Sequence, residues 1–120
     1  PFADGSVDVV ISNGVINLSA DKPRVFAEAA RVLRSGGCLA LADIVTEKPL
    51  PESVSCNATL WAACIGGALQ QDAYRAAIEA AGLVIETWRE HPEYRFLTDS
   101  AQGASASYGV KSISLLAIKA

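Results

Sequence analysis

The chain is 120 residues long, with 51% hydrophobic residues, 19% charged residues and a formal net charge of −3. That balance fits one folded domain over residues 1–120 with a core of its own and excludes disorder. Without a lysine or arginine cluster, the chain lacks the electrostatic footprint of a nucleic-acid or anionic-membrane binder. No apolar run approaches the roughly 20 residues of a membrane span, and the N-terminus does not read as a signal peptide. Cys38, Cys56 and Cys64 are odd in number and lack CxxC spacing. A reducing cytoplasm is therefore expected, and a metal site is not.

The chain opens on an Asp4-Gly5 turn, and Val7–Ser12 follows as a β-branched strand that stops at Asn13-Gly14. Ser19 or Asp21 can cap the next helix, with Pro23 tolerated in its first turn. In Val25–Leu33 the apolar residues recur at three- and four-residue steps, so the spacing predicts a helix with one face on a core. Arg34 reads as its last-turn cation and Gly36-Gly37 as its left-handed exit. Cys38–Val45 is apolar on both faces, the pattern of an interior strand of a parallel sheet. Strand, helix and strand make a right-handed βαβ unit.

After Val45 the pattern loosens. Thr46–Ser55, with Pro49 and Pro51, reads as a crossing loop, and Asn57–Leu69 as a short buried helix ending near Gly66-Gly67. Asp72–Ala81 carries Tyr74, Ala77, Ile78 and Ala81 on one stripe and predicts a second helix closed by Gly82. Leu83–Arg89 reads as a strand, Glu90–Ser107 as a long loop and Val110–Lys119 as a last strand.

The segments PFADGSVDVVISN and RVLRSGGCLALADI, with the closing helix–strand–loop–strand, resemble the C-terminal half of a class I S-adenosylmethionine-dependent methyltransferase. Ser35 stands where that family usually has proline. SNGVINLSADK and LWAACIGGAL are similar to the arsenite methyltransferases. The resemblance implies a partial Rossmann-like sheet of about four strands, the last two antiparallel, with helices packed on it. The chain begins where the family's fourth strand begins. The glycine-rich loop and the ribose-binding acid belong to strands outside it, and no G-x-G occurs here. The expectation is a truncated domain with S-adenosylmethionine as family cofactor, inactive and unable to bind that cofactor alone. The alternative is a non-catalytic homodimeric module of the same ancestry.

By resemblance, Asn13 and Gly14 would lie on the cofactor, and Asn17, Trp61 and Cys64 would face the substrate. Asn13 and Asn17 read equally well as loop caps bonded to nearby backbone. Trivalent arsenic is a soft ion suited to thiolates, and the resemblance puts one substrate thiol on Cys64. The partner thiol of the family's S-N-C falls on Gly14 here. Cys64 also reads as a small buried hydrophobe, and Cys38 as core. Glu90, His91 and Glu93 form a polar group of the kind that moves protons, but Pro92 marks a loop, the commoner setting. No catalytic residue is assigned. In the family's sheet order the outer edge of Val7–Ser12 would pair with the first strand, which lies outside this chain, so a second copy of the chain is expected to cover that apolar edge, across it or by exchange of a helix.

Overall fold

The computed structural model describes residues 2–51, 67–92, 102–103 and 108–120. Strand β1 (Val7–Asn13) leads through a 3-10 turn at Ile16–Leu18 into helix α1 (Lys22–Val32) and strand β2 (Leu33–Val45). Helix α2 (Gln71–Ala80), strand β3 (Leu83–His91) and strand β4 (Lys111–Lys119) complete the described elements. The sheet runs β1-β2-β4-β3, with β1 parallel to β2 and both β4 pairings antiparallel. This is the mixed α/β sheet that the sequence implies, including its antiparallel closing pair.

Alternation along the strands assigns the faces. Leu39 and Leu41 of β2 and Ile113, Leu115 and Ala117 of β4 meet Phe26, Ala30, Tyr74 and Ile78 of the two helices in one buried cluster. Phe26 and Tyr74 meet edge-on at 5.4 Å, and Tyr74 meets Trp88 at 6.5 Å. Side chains of this size each contribute about 1.5–3 kcal/mol when fully buried. On the opposite face, Val9, Cys38, Ile118 and Val84 stand in register across the four strands, with Ile11, Ala40 and Leu116 in the next row. No described helix covers that face, and Cys38 lies on it half-buried rather than in the core.

Caps explain where the helices start. The Arg24 N–H donates to Asp21 Oδ1 (3.2 Å), so Asp21 rather than Ser19 caps α1. The Gln70 side-chain oxygen accepts from the Asp72 and Ala73 N–H groups at the head of α2. Gly82, at φ 88°, ends that region as expected.

Three boundaries differ from the expectation. Helix α1 stops at Val32 because Leu33 is extended, fully buried and paired with Val7. Long-range pairing therefore overrides local helix chemistry, and Arg31 is the last-turn cation. Arg34 instead pairs with Asp8 at 2.6 Å. Gly36, at φ 81°, serves a break in β2, where the register jumps from Val7↔Leu33 to Val9↔Cys38. At the far end, Glu90 and His91 belong to β3 rather than a loop, tied by Glu90 to Lys111 and by His91 Nε2 to Ser114 Oγ at 2.9 Å. The expected helix at Asn57–Leu69 lies outside the described residues except for its last three positions, which are not helical.

The approach of β1 to β2 predicts one sensitive position. A side-chain carbon on Gly37 would lie 2.9 Å from the carbonyl oxygens of both Arg34 and Asp8, main-chain atoms that cannot swing aside. Gly37→Ala is expected to cost about 2 kcal/mol or more. Gly82→Ala, strained only by its φ, is expected to cost about 1 kcal/mol. Urea midpoints of the two variants check the order.

Candidate functional site: the carboxyl end of the β1–β2 pair

Ligand crevices of open α/β sheets form beyond the carboxyl ends of parallel strands. Here β1 and β2 are the parallel pair, and the chain leaves β1 through Asn13 and Gly14. The Gly14 N–H donates to the Ala42 carbonyl (2.9 Å), which holds the exit against β2. Gly14 sits at φ 74°, and a side-chain carbon there would meet nothing within 4 Å. Asn13 is exposed, and a groove of about 370 Å³ runs along Ile11, Ser12, Asn13 and Val15. Asn13 and Gly14 therefore lie at the carboxyl end of the parallel pair, with Asn13 on the groove.

Asn17 does not line that groove. Expected to face the substrate, it is 0% exposed, and its Nδ2 donates to the Ile44 carbonyl at 2.6 Å. Its role here is to pin the loop after β1 onto the end of β2. Around it lies a buried polar group that sequence reading missed. Asp43, 3% exposed, accepts from the Ile44 N–H (3.0 Å), the Tyr74 hydroxyl (3.0 Å) and the Asn17 backbone N–H. Lys22 Nζ donates to the Ser19 carbonyl (3.1 Å) and, at 3.5 Å, to that of Asn17. A lone carboxylate in the apolar run CLALADIV is the signal that could have found this group, because a buried carboxylate requires donors.

Burial pushes the Asp43 carboxyl above its ordinary range, against the pull of its donors and of Lys22. Burial pushes the Lys22 ammonium down, opposed by Asp43. Both groups face the helices rather than the open groove, so they hold the loop instead of touching a ligand. On the helix side a cavity of about 580 Å³ is lined by Ser19, Lys22, Pro49, Leu50, Leu69 and Gln70. Its polar groups are engaged: Gln70 caps α2, and Lys22 serves the loop carbonyls. Among the described residues no cluster of His, Cys, Asp or Glu could hold a metal. Trp61, Cys64, Cys56 and Glu93 lie outside the described residues.

Fold and site together define a Rossmann-like α/β domain with its crevice at the end of a parallel strand pair. A family model described as a methyltransferase domain matches residues 1–82, and the chain belongs to that family. It is 39% identical over 100 residues to an arsenite methyltransferase of Halobacterium salinarum, a match covering 82% of this chain and 26% of that protein. It is 50% identical over 64 residues to the human arsenite methyltransferase, covering 53% of this chain and 17% of the relative. Among solved structures, an arsenic(III) S-adenosylmethionine methyltransferase from Chlamydomonas reinhardtii superposes with a TM-score of 0.77 at 29% identity. That match covers 99% of this chain and 39% of the other. The chain thus spans about a quarter of the curated Halobacterium relative.

By family resemblance the cofactor is S-adenosylmethionine. The described residues fit it only in part. Asn13 lies on the open groove, but Asp43 is buried beneath the helices and Asp21 is spent on its cap. Neither carboxylate is placed to take ribose hydroxyls in the groove.

The buried carboxylate makes a pH prediction. A folded-state pKa above the unfolded value contributes stability that is complete below the ordinary 3.8 and is lost as pH rises through the raised value. In denaturant unfolding from about pH 3 to about pH 7, wild type is expected to lose stability relative to Asp43→Asn as pH rises. Tyr74→Phe, which removes one donor to the carboxylate, is expected to steepen that loss.

Proposed function

We propose that this chain supplies the C-terminal part of an S-adenosylmethionine-dependent methyltransferase domain of the arsenite type, and that it is inert toward the cofactor by itself. One observation carries the reading. The parallel strand β1 ends at an open groove along Ser12, Asn13 and Val15, with Gly14 at the turn between them, in a sequence 39% identical over 100 residues to an arsenite methyltransferase. In this reading Asn13 and Gly14 edge the cofactor, and Asn17 acts through the loop it anchors. Cys64 offers a thiolate to a soft acceptor such as trivalent arsenic, with Trp61 beside the same substrate. Gly14 replaces a cysteine of the family pattern, so one fewer thiol is available here. The setting is a reducing, cytoplasmic one, in which such thiols stay unpaired.

The test is a chimera in which this sequence replaces the matching part of the Halobacterium enzyme, assayed for methylated arsenic. The chimera is expected to be active. Cys64→Ser in it is expected to lower arsenite methylation about tenfold or more while leaving S-adenosylhomocysteine affinity unchanged. A chimera that methylates small organic acceptors and not arsenite would contradict the substrate, and one whose cofactor affinity falls with Cys64 would contradict the role.

A further inference from the structure

The loop that leaves β1 is gripped at two places by the end of β2. At Gly14 the backbone N–H donates to the Ala42 carbonyl at 2.9 Å. At Asn17, which is fully buried, Nδ2 donates to the Ile44 carbonyl at 2.6 Å and the backbone N–H to the Asp43 carboxylate. Three consecutive residues of β2 thus hold this stretch, whose exposed members, Asn13 and Val15, line the groove.

The grip at Asn17 comes from β2 and not from the local sequence. The 3-10 turn Ile16–Leu18 starts from Val15, which has no side-chain acceptor to cap it. The first N–H groups of such a turn have no partner within it, and a capping serine, threonine or aspartate ordinarily supplies one. Asp43 does that work from the neighbouring strand, by accepting the Asn17 N–H. The carboxylate is itself fixed, Oδ1 accepting the Ile44 N–H and Oδ2 the Tyr74 hydroxyl, each at 3.0 Å. Tyr74 is buried and packs edge-on against Phe26, so the acceptor is held against the turn from the helix side.

We infer that Asp43 is a positioning residue for the cofactor: it touches no ligand and acts through Asn17 to place Asn13 and Gly14. The inference rests on the methyltransferase reading above, and it assigns Asp43 to the cofactor rather than to the methyl acceptor. The segment bearing Trp61 and Cys64 joins the described fold at Thr46 and at Leu69–Gln71. There the Thr46 N–H donates to the Leu69 carbonyl (3.0 Å) and the Gln71 N–H to the Thr46 carbonyl (2.7 Å). Neither bond involves Asp43. Loss of the carboxylate therefore releases the loop after β1 and leaves the footing of that segment in place.

The chimera proposed above, with its two ligands, tests the assignment. Asp43→Leu is expected to weaken S-adenosylhomocysteine binding about tenfold in calorimetric titration, with the KM for arsenite unchanged. Tyr74→Phe, which removes one hydroxyl and keeps the ring, is expected to weaken the same binding about threefold. Asn17→Ala is expected to match Asp43→Leu, and the double variant to bind no more weakly than either single one, because the two residues act in series. Leu115→Ala, in the buried core of β4, lowers stability and is expected to leave cofactor affinity unchanged. Unchanged affinity in Asp43→Leu or Tyr74→Phe, within a chimera that binds the cofactor, overturns the inference alone. An equal loss in Leu115→Ala, or a change confined to the KM for arsenite, overturns it too. A parent chimera without affinity for S-adenosylhomocysteine contradicts the methyltransferase reading, and this inference with it.

Discussion

The parallel pairing of β1 with β2 is the constraint on which the rest depends. It fixes Leu33 opposite Val7, which ends helix α1, and it delivers Asn13 and Gly14 beside Ala42, which opens the crevice. It also sets the close backbone approach at Gly37, where no side chain fits. Remove that pairing and the loop carrying Asn17 has no sheet end to rest on. The βαβ step is thus both the folding unit and the frame of the site.

On that frame the polar and apolar parts divide cleanly. The helix-covered face holds the aromatic cluster of Phe26, Tyr74 and Trp88, and Tyr74 extends from it to the Asp43 carboxylate. Asp43 and Asn17 therefore tie four pieces together: the end of β2, the loop after β1, helix α2 and, through Lys22, the start of α1. Buried polar groups bonded to one another in this way rigidify a region. Here they rigidify the loop that borders the groove. Among the described residues no strand pairs with the outer edge of β1 and no helix covers the other face, where Val9, Ile11 and Val84 stand exposed.

Much of this was legible in the sequence, for identifiable reasons. Val7–Ser12 is bracketed by Asp4-Gly5 and Asn13-Gly14, and Cys38–Val45 is too apolar for anything but an interior strand. Local signals failed where distant pairing decided the outcome. Arg34 and Gly36-Gly37 look like a helix end, yet Leu33 had already joined the sheet. Pro92 suggested a loop at Glu90-His91, but the residue before a proline favours extended backbone and continues β3 up to it. Burial of Asn17 depends on a carbonyl 27 residues away, and Asp43 on a tyrosine 31 residues away. The lone carboxylate in CLALADIV signals that donors are needed, but no local pattern says which distant residues supply them.

The central proposal is that this chain forms part of a methyltransferase domain and is inert toward the cofactor by itself. Calorimetric titration of the purified 120-residue chain with S-adenosylhomocysteine tests that claim most directly. The account predicts no binding in the micromolar range, because Asn13 lies on an open groove and, among the described residues, neither Asp43 nor Asp21 is placed for the ribose. Saturable micromolar binding would contradict it, and would mean that these residues already build a cofactor site.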